Sequence, residues 1–262
     1  MQPTIDISWT QLALFMLVLS IPLLINRFLK LALGKEITVA IFRMTAQLIL
    51  VGLYLEFLFA LNSLALNLIW LTVMLLIGAS AIIGSAKLPK RPLFLPITTG
   101  LLVGITPLMA ILLLILLKPT PVYSAQYLIP MAGMLLGNCL SGNIVALQRL
   151  FSAFDEKKDQ YEGALALGVS PYQAAFPFMQ SALKQSFAPI LASMTTTGLV
   201  TLPGMMTGQI LGGSDPMVAI KYQLIILIAI FVMLTVSVTL SLTLTIKSCI
   251  DPSGLIKVGV KK

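Results

Sequence analysis

Apolar residues in this chain come in runs of about 20, separated by short polar breaks. A helix of that length, rising 1.5 Å per residue, crosses about 30 Å of hydrocarbon. Seven such runs can be marked, at about 9–27, 37–59, 64–84, 93–117, 126–148, 186–211 and 217–247. One break is long, the stretch 149–185 between the fifth and sixth runs. The pattern predicts an all-α polytopic membrane protein. It forms a single transmembrane domain over 1–262, with seven spans and one short cytoplasmic helix in the long loop.

Composition narrows this further. Of 262 residues, 58% are hydrophobic and 10% are charged, whereas a soluble domain is about a quarter charged. The residues left over are too few for a separate soluble domain. No basic stretch precedes the first apolar run, so that run reads as a retained helix and not a cleaved signal peptide. Cys139 and Cys249 give neither a disulfide framework nor a zinc pattern, and histidine is absent.

A net charge of +8 could point to nucleic acid. The positions of the basic residues argue otherwise. With the N-terminus outside, Arg27, Lys30, Lys35, Lys87, Lys90, Arg91, Arg149, Lys157, Lys158, Lys184, Lys247, Lys257, Lys261 and Lys262 all fall inside. Lys118 and Lys221 fall outside, and Arg43 lies in a span. Basic residues collect in cytoplasmic loops of membrane proteins. The expected orientation is therefore N-terminus out and C-terminus in, with no nucleic-acid partner.

The long loop holds the densest charge, from Asp155 through Glu162. Residues 155–167 are adequate helix formers, and Gly168 can supply a left-handed stop. Ser170 is a good N-cap, with Pro171 at the first helical position, where its missing N–H is harmless. Two short helices meeting at a fixed angle are expected beside the membrane. The bland alternative is a helix lying on lipid headgroups. Glu162 is the charge best placed to serve the bend or a partner.

The order of residues in this loop adds a resemblance. Glu162-Gly163-Ala164, then Leu167-Gly168, then Ser170-Pro171 and Gln173 resembles the EAA loop of ABC-transporter permeases. In that family the loop forms a coupling helix seated in a groove of the ATP-binding subunit. Gly163 departs from the pattern at the first alanine. So does Met179-Gln180-Ser181, where the family has Leu-Pro.

Several polar or unusual residues lie in or near the spans. Arg43 and Gln47 share one face of the second span. A buried arginine is a functional candidate unless it snorkels to the headgroups, and both readings stay open. Glu56, near the outer end of the same span, either reaches external water or joins Asp215 in a cation-attracting mouth. Asn138 is either interhelical glue or pore lining. In the sixth span Pro203 breaks a backbone bond and Gly204 loosens the helix. Gly204 and Gly208 offer a small-residue face for close packing. Met205, Met206 and Gln209 form a soft-ligand patch or plain packing, and Tyr222 and Gln223 follow in the seventh span as further path candidates.

A closer resemblance covers most of the chain. Leu202-Pro203-Gly204-Met205-Met206-Thr207-Gly208-Gln209-Ile210-Leu211-Gly212-Gly213 is similar to the signature of the FetB-type permease family. These are bacterial proteins assigned to iron export, with plant relatives involved in aluminium tolerance. Phe42-Arg43, Gln47-Leu48 and Val51-Gly52 are similar to a second signature. Ile129-Pro130-Met131, Gly133-Met134 and Gly137-Asn138 are similar to a third.

The resemblance implies the permease subunit of an ABC transporter in the bacterial inner membrane, exporting iron or a related metal. It implies a homodimer working with two copies of a separate ATPase. ATP and Mg stay on that partner, because no Gly-x-x-x-x-Gly-Lys-Ser/Thr phosphate loop occurs here. The chain itself is expected to bind no cofactor and to catalyse nothing. Metal ligands are not identifiable from the residues. The alternative is a gradient-driven transporter or channel for a metal or small solute, which usually keeps carboxylates or histidines at mid-membrane.

Overall fold

The computed structural model describes residues 6–256. Lys257, Lys261 and Lys262, counted above as cytoplasmic, lie outside the described residues. All regular elements among those described are helical. They are α1 (Trp9–Phe28), with a 3-10 turn at Leu17–Leu19, and α2 (Gly34–Leu61). Next come α3 (Leu64–Ser85), α4 (Lys90–Leu117) and α5 (Ala125–Glu156). Then follow α6 (Lys158–Ala166), α7 (Pro171–Thr196), α8 (Gly204–Leu211) and α9 (Pro216–Cys249).

Six of these, α1 to α5 and α9, are long and apolar enough to cross a bilayer. The stretch 186–211, expected as the sixth span, is not one helix. It comprises the end of α7, a turn over 197–203 and the short α8. Gly198 donates to the Thr201 carbonyl at 2.9 Å, and Thr197 and Thr201 form a bridge. Pro203 then stands at the start of α8 and not within a span. The loop expected over 149–185 is also mostly helix. α5 runs to Glu156 and α7 begins at Pro171, so the break shrinks to 157–170.

Polar contacts between helices define two ends of the bundle. At one end the Asn62 side chain accepts from Ala125 N–H at 3.0 Å, and Asn67 donates to the Tyr123 carbonyl at 2.8 Å. At the other, Gln148 donates to the Ser85 carbonyl at 3.2 Å and Lys90 to Ser80 Oγ at 3.1 Å. Ser248 also donates there to the Pro92 carbonyl at 3.4 Å. Lys87, Lys90, Arg91, Arg149 and Lys247 gather at this second end, whereas Lys118 borders the first.

α9 is the centre of the bundle, packed on α4, α5, α7 and α8. The α4–α9 contact depends on a missing side chain. A β-carbon on Gly100 would meet Ser241 Oγ and come within 2.8 Å of the Ser237 carbonyl. Membrane helices lack a hydrophobic drive toward one another, so such small-residue approaches and interhelical hydrogen bonds hold them together. Asn143 of α5 supplies one, donating to Ser237 Oγ at 3.2 Å and to its own helix's Cys139 carbonyl at 3.0 Å. α1 and α2 are packed differently. Leu58 is the one buried residue of α2 and α1 has none. α2 is tied to α3 near its end, where Tyr54 and Trp70 stack at 4.3 Å between centroids.

Candidate coupling element and translocation surface

The break between α5 and α7 is built by local backbone chemistry. Gly168 has φ +84°, the left-handed conformation its lack of a β-carbon permits. Its N–H donates to the Leu165 carbonyl at 2.9 Å, and Val169 N–H donates to the Ala164 carbonyl at 3.1 Å. This pair of bonds is a Schellman stop. Two residues later Ser170 caps α7, its Oγ accepting from Gln173 N–H at 3.4 Å, with Pro171 at the first position. Both turns of the expected bend are thus satisfied internally, so α6 holds a fixed angle to α7.

α6 is amphipathic, and its inner side is anchored. Tyr161 is buried and donates from its hydroxyl to the Gly254 carbonyl at 3.0 Å. Its ring meets Phe154 of α5 at 5.3 Å and Phe178 of α7 at 6.3 Å. Burial pushes the Tyr161 phenol up from its ordinary value, keeping it a donor. Gly254 belongs to a small C-terminal turn closed by the Ile250–Ile256 bridge. The outer side of α6 is free. Among the described residues Glu162 pairs with Lys158, at 3.5 Å and largely exposed, an interaction worth little. Gly163 and Gly168 have open space around them. Ala164 packs inward. The apex presents apolar surface, with Leu167 86% exposed beside Val169 and Tyr172.

Sequence reasoning missed Tyr161 and the C-terminal turn. The spacing Tyr161, Ala164, Leu165 on an otherwise charged helix carries the signal for a buried face. Nothing local announces the partner at Gly254.

The residues expected along the path do not gather in one place. Arg43 and Gln47 are exposed on α2 and line an open concavity of about 580 Å³ with Glu36, Met44 and Leu48. Glu56 is exposed near the opposite end of the same helix. Asn138 donates to the Met134 carbonyl at 2.8 Å and faces a cleft of about 220 Å³ between α5 and α7. Ser141, Ser186 and Ser193 share that cleft.

At α8, nothing lies within 4 Å of a β-carbon on Gly204 or Gly208, so neither glycine serves a helix contact among the described residues. Met205 packs against the core, and Met206 is half-buried beside it. Gln209 Oε1 and Gln223 Oε1 are buried without a partner, and Tyr222 is half-buried. Asp215 caps α9, accepting from Met217 N–H at 2.8 Å and Val218 N–H at 3.4 Å. A carboxylate committed to a helix start is a poor cation mouth. Among the described residues no group of three His, Cys, Asp or Glu could hold a metal.

Lys184 was expected in the cytoplasmic loop. It lies instead in the middle of α7, exposed, with Gln180, Ser181 and Gln185 on the same side. Counting charge along a sequence assigns every lysine to a loop. It cannot see a helix that buries its other face.

Comparison with known proteins places this architecture. The chain is 32% identical over 230 residues to a membrane protein of Synechocystis, covering 87% of this chain and 88% of that one. It is 32% identical to the Escherichia coli (strain K12) protein named "Probable iron export permease protein FetB", covering 84% of each. It is 33% identical to the Arabidopsis thaliana protein "ALUMINUM SENSITIVE 3", covering 75% of this chain and 71% of that one. No solved structure matches. The family described as "Uncharacterised protein family (UPF0014)" matches residues 9–250. With that match and several apolar helices of spanning length, this chain is a multi-span membrane protein of the permease-like UPF0014 family.

Proposed function

We propose that this chain is the membrane subunit of an ATP-binding-cassette transporter, exporting iron or a related metal from the cytoplasm. One observation carries the reading: α6 and the start of α7 form a fixed, outward-facing bend with an exposed apolar apex at the basic end of the bundle. A soluble ATPase gripping Leu167, Val169 and Tyr172, with Gly168 holding the bend and Glu162 offered to a basic partner, would move α7 directly. The Tyr161–Gly254 bond would carry the same motion to α9. The basic end is then cytoplasmic, by the excess of lysine and arginine on that side, in a bacterial inner membrane. Two copies of the chain and two ATPases make the working complex, with ATP and Mg held by the ATPase. The name of the Escherichia coli relative supports the cargo.

The test uses sealed vesicles containing this chain and its ATPase. Metal movement that requires ATP and this chain supports the reading. Equal movement with a hydrolysis-dead ATPase, or gradient-driven flux through this chain alone, rejects it.

A further inference from the structure

α7 reaches the depth of the bilayer and still keeps a polar outer face. Its inner side, Ala174, Ala175, Phe178, Met179, Ala182 and Ser186, is buried. Two contacts fix its level against α9. Thr243 Oγ1 donates to Met179 Sδ at 3.8 Å, and the Phe187 and Phe231 rings are 6.5 Å apart. Lys184 therefore stands between the levels of Thr243 and Phe231. The charged residues of α9, Lys221 and Lys247, are about 39 Å apart along a helix axis. The apolar stretch between them covers the ~30 Å of hydrocarbon, and its centre falls near Leu234. Lys184 stands well inside the apolar slab, between the Lys247 end and its centre.

A lysine side chain spans about 6 Å and stops short of the nearer boundary, which the two contacts place about 9–15 Å away. It has no carboxylate beside it. All nine Asp and Glu of the chain lie outside the long helices, on α6, or within two turns of a helix end. Lipid is a poor neighbour for such a charge, so the face requires water.

We infer that the Gln180–Lys184 face of α7 lines the water-filled path and that the cargo crosses as an anion, any metal travelling inside a carboxylate chelate. The inference rests on the transporter reading above and specifies its substrate class. An unpaired lysine repels a bare divalent cation and attracts carboxylate oxygens. Among the described residues no three His, Cys, Asp or Glu side chains converge to replace the water of a dehydrated metal ion. Beside Lys184 the exposed Gln180, Ser181 and Gln185 offer amide and hydroxyl donors suited to an anion.

The experiment has an arm that needs no transport. Ser181→Cys places a thiol one turn from Lys184, and Leu102→Cys places one on the exposed face of α4. Anionic and cationic methanethiosulfonates are applied to the assembled complex, with rates normalised to a free thiol. The expected result is reaction at position 181, none at 102, and an anion preference of about tenfold that disappears with Lys184→Gln. No reaction at 181, or a preference indifferent to Lys184→Gln, overturns the inference.

In vesicles with active ATPase, the probes are ferric citrate, citrate alone and ferrous ion alone. ATP-driven movement of either citrate probe, reduced about tenfold by Lys184→Gln and kept by Lys184→Arg, supports the inference. ATP-driven movement of ferrous ion alone, unchanged by Lys184→Gln, overturns it. Anion-selective labelling with no ATP-driven movement of any probe counts against the ATPase reading and leaves the anionic path standing.

Discussion

α7 and α9 lie antiparallel at the same depth, yet they are opposites. α9 is apolar between Lys221 and Lys247 and buries fourteen of its residues against four other helices. α7 buries six and turns glutamine, serine and lysine outward. α9 is the fixed axis of the bundle. α7 is the element that keeps one polar, exposed side and carries the 157–170 bend at its base. A helix that is apolar on every side belongs inside a bundle or against lipid, whereas a helix with one polar face needs a polar neighbour there.

The comparison can be broken most severely on the α9 side. Gly100→Val forces a branched side chain into Ser241 and the Ser237 backbone, and should cost about 3 kcal/mol. Heating purified protein in detergent should show a large loss of the folded fraction. Next in size is the base of α7. Gly168→Val puts a β-branched residue at φ +84°, at about 1–2 kcal/mol of local strain. Insertion should persist while stimulation of the partner ATPase is lost; loss of insertion instead would mean a folding role. Third, Tyr161→Phe removes the hydrogen bond to Gly254, worth about 1 kcal/mol. Amide exchange should quicken over 250–256 and stay unchanged in α9. Smallest is Ser237→Ala, which deletes the Asn143 contact at about 0.6 kcal/mol. Its effect on the melting curve should sit at the edge of detection.

The same contrast explains what the sequence made legible. The bend at Gly168 and Ser170 was readable because stop and cap are local rules, each satisfied within five residues. α9 was readable because apolarity all round survives any averaging window. α7 and α8 were not read correctly. A hydropathy window merges the end of α7 with α8 and passes over the Thr197–Pro203 turn, although Gly198 and Pro203 flag it. Lys184 reads as a loop residue because the partners of its helix, Thr243 against Met179 and Phe231 against Phe187, are distant in sequence. The Tyr161–Gly254 bond spans 93 residues for the same reason. The helix contact expected of Gly204 and Gly208 is not made among the described residues, because spacing alone does not say which way a helix face points.

The central claim is that the 157–170 bend is where a separate ATPase takes hold. Thiol cross-linking from Leu167→Cys, the most exposed apolar side chain of that bend, tests it most directly. Membranes containing this chain and its ATPase should yield a cross-linked pair from position 167 and none from Lys118→Cys at the opposite end. A cross-link from position 118, or its absence at 167 in a complex that still hydrolyses ATP in a permease-dependent way, would contradict the account.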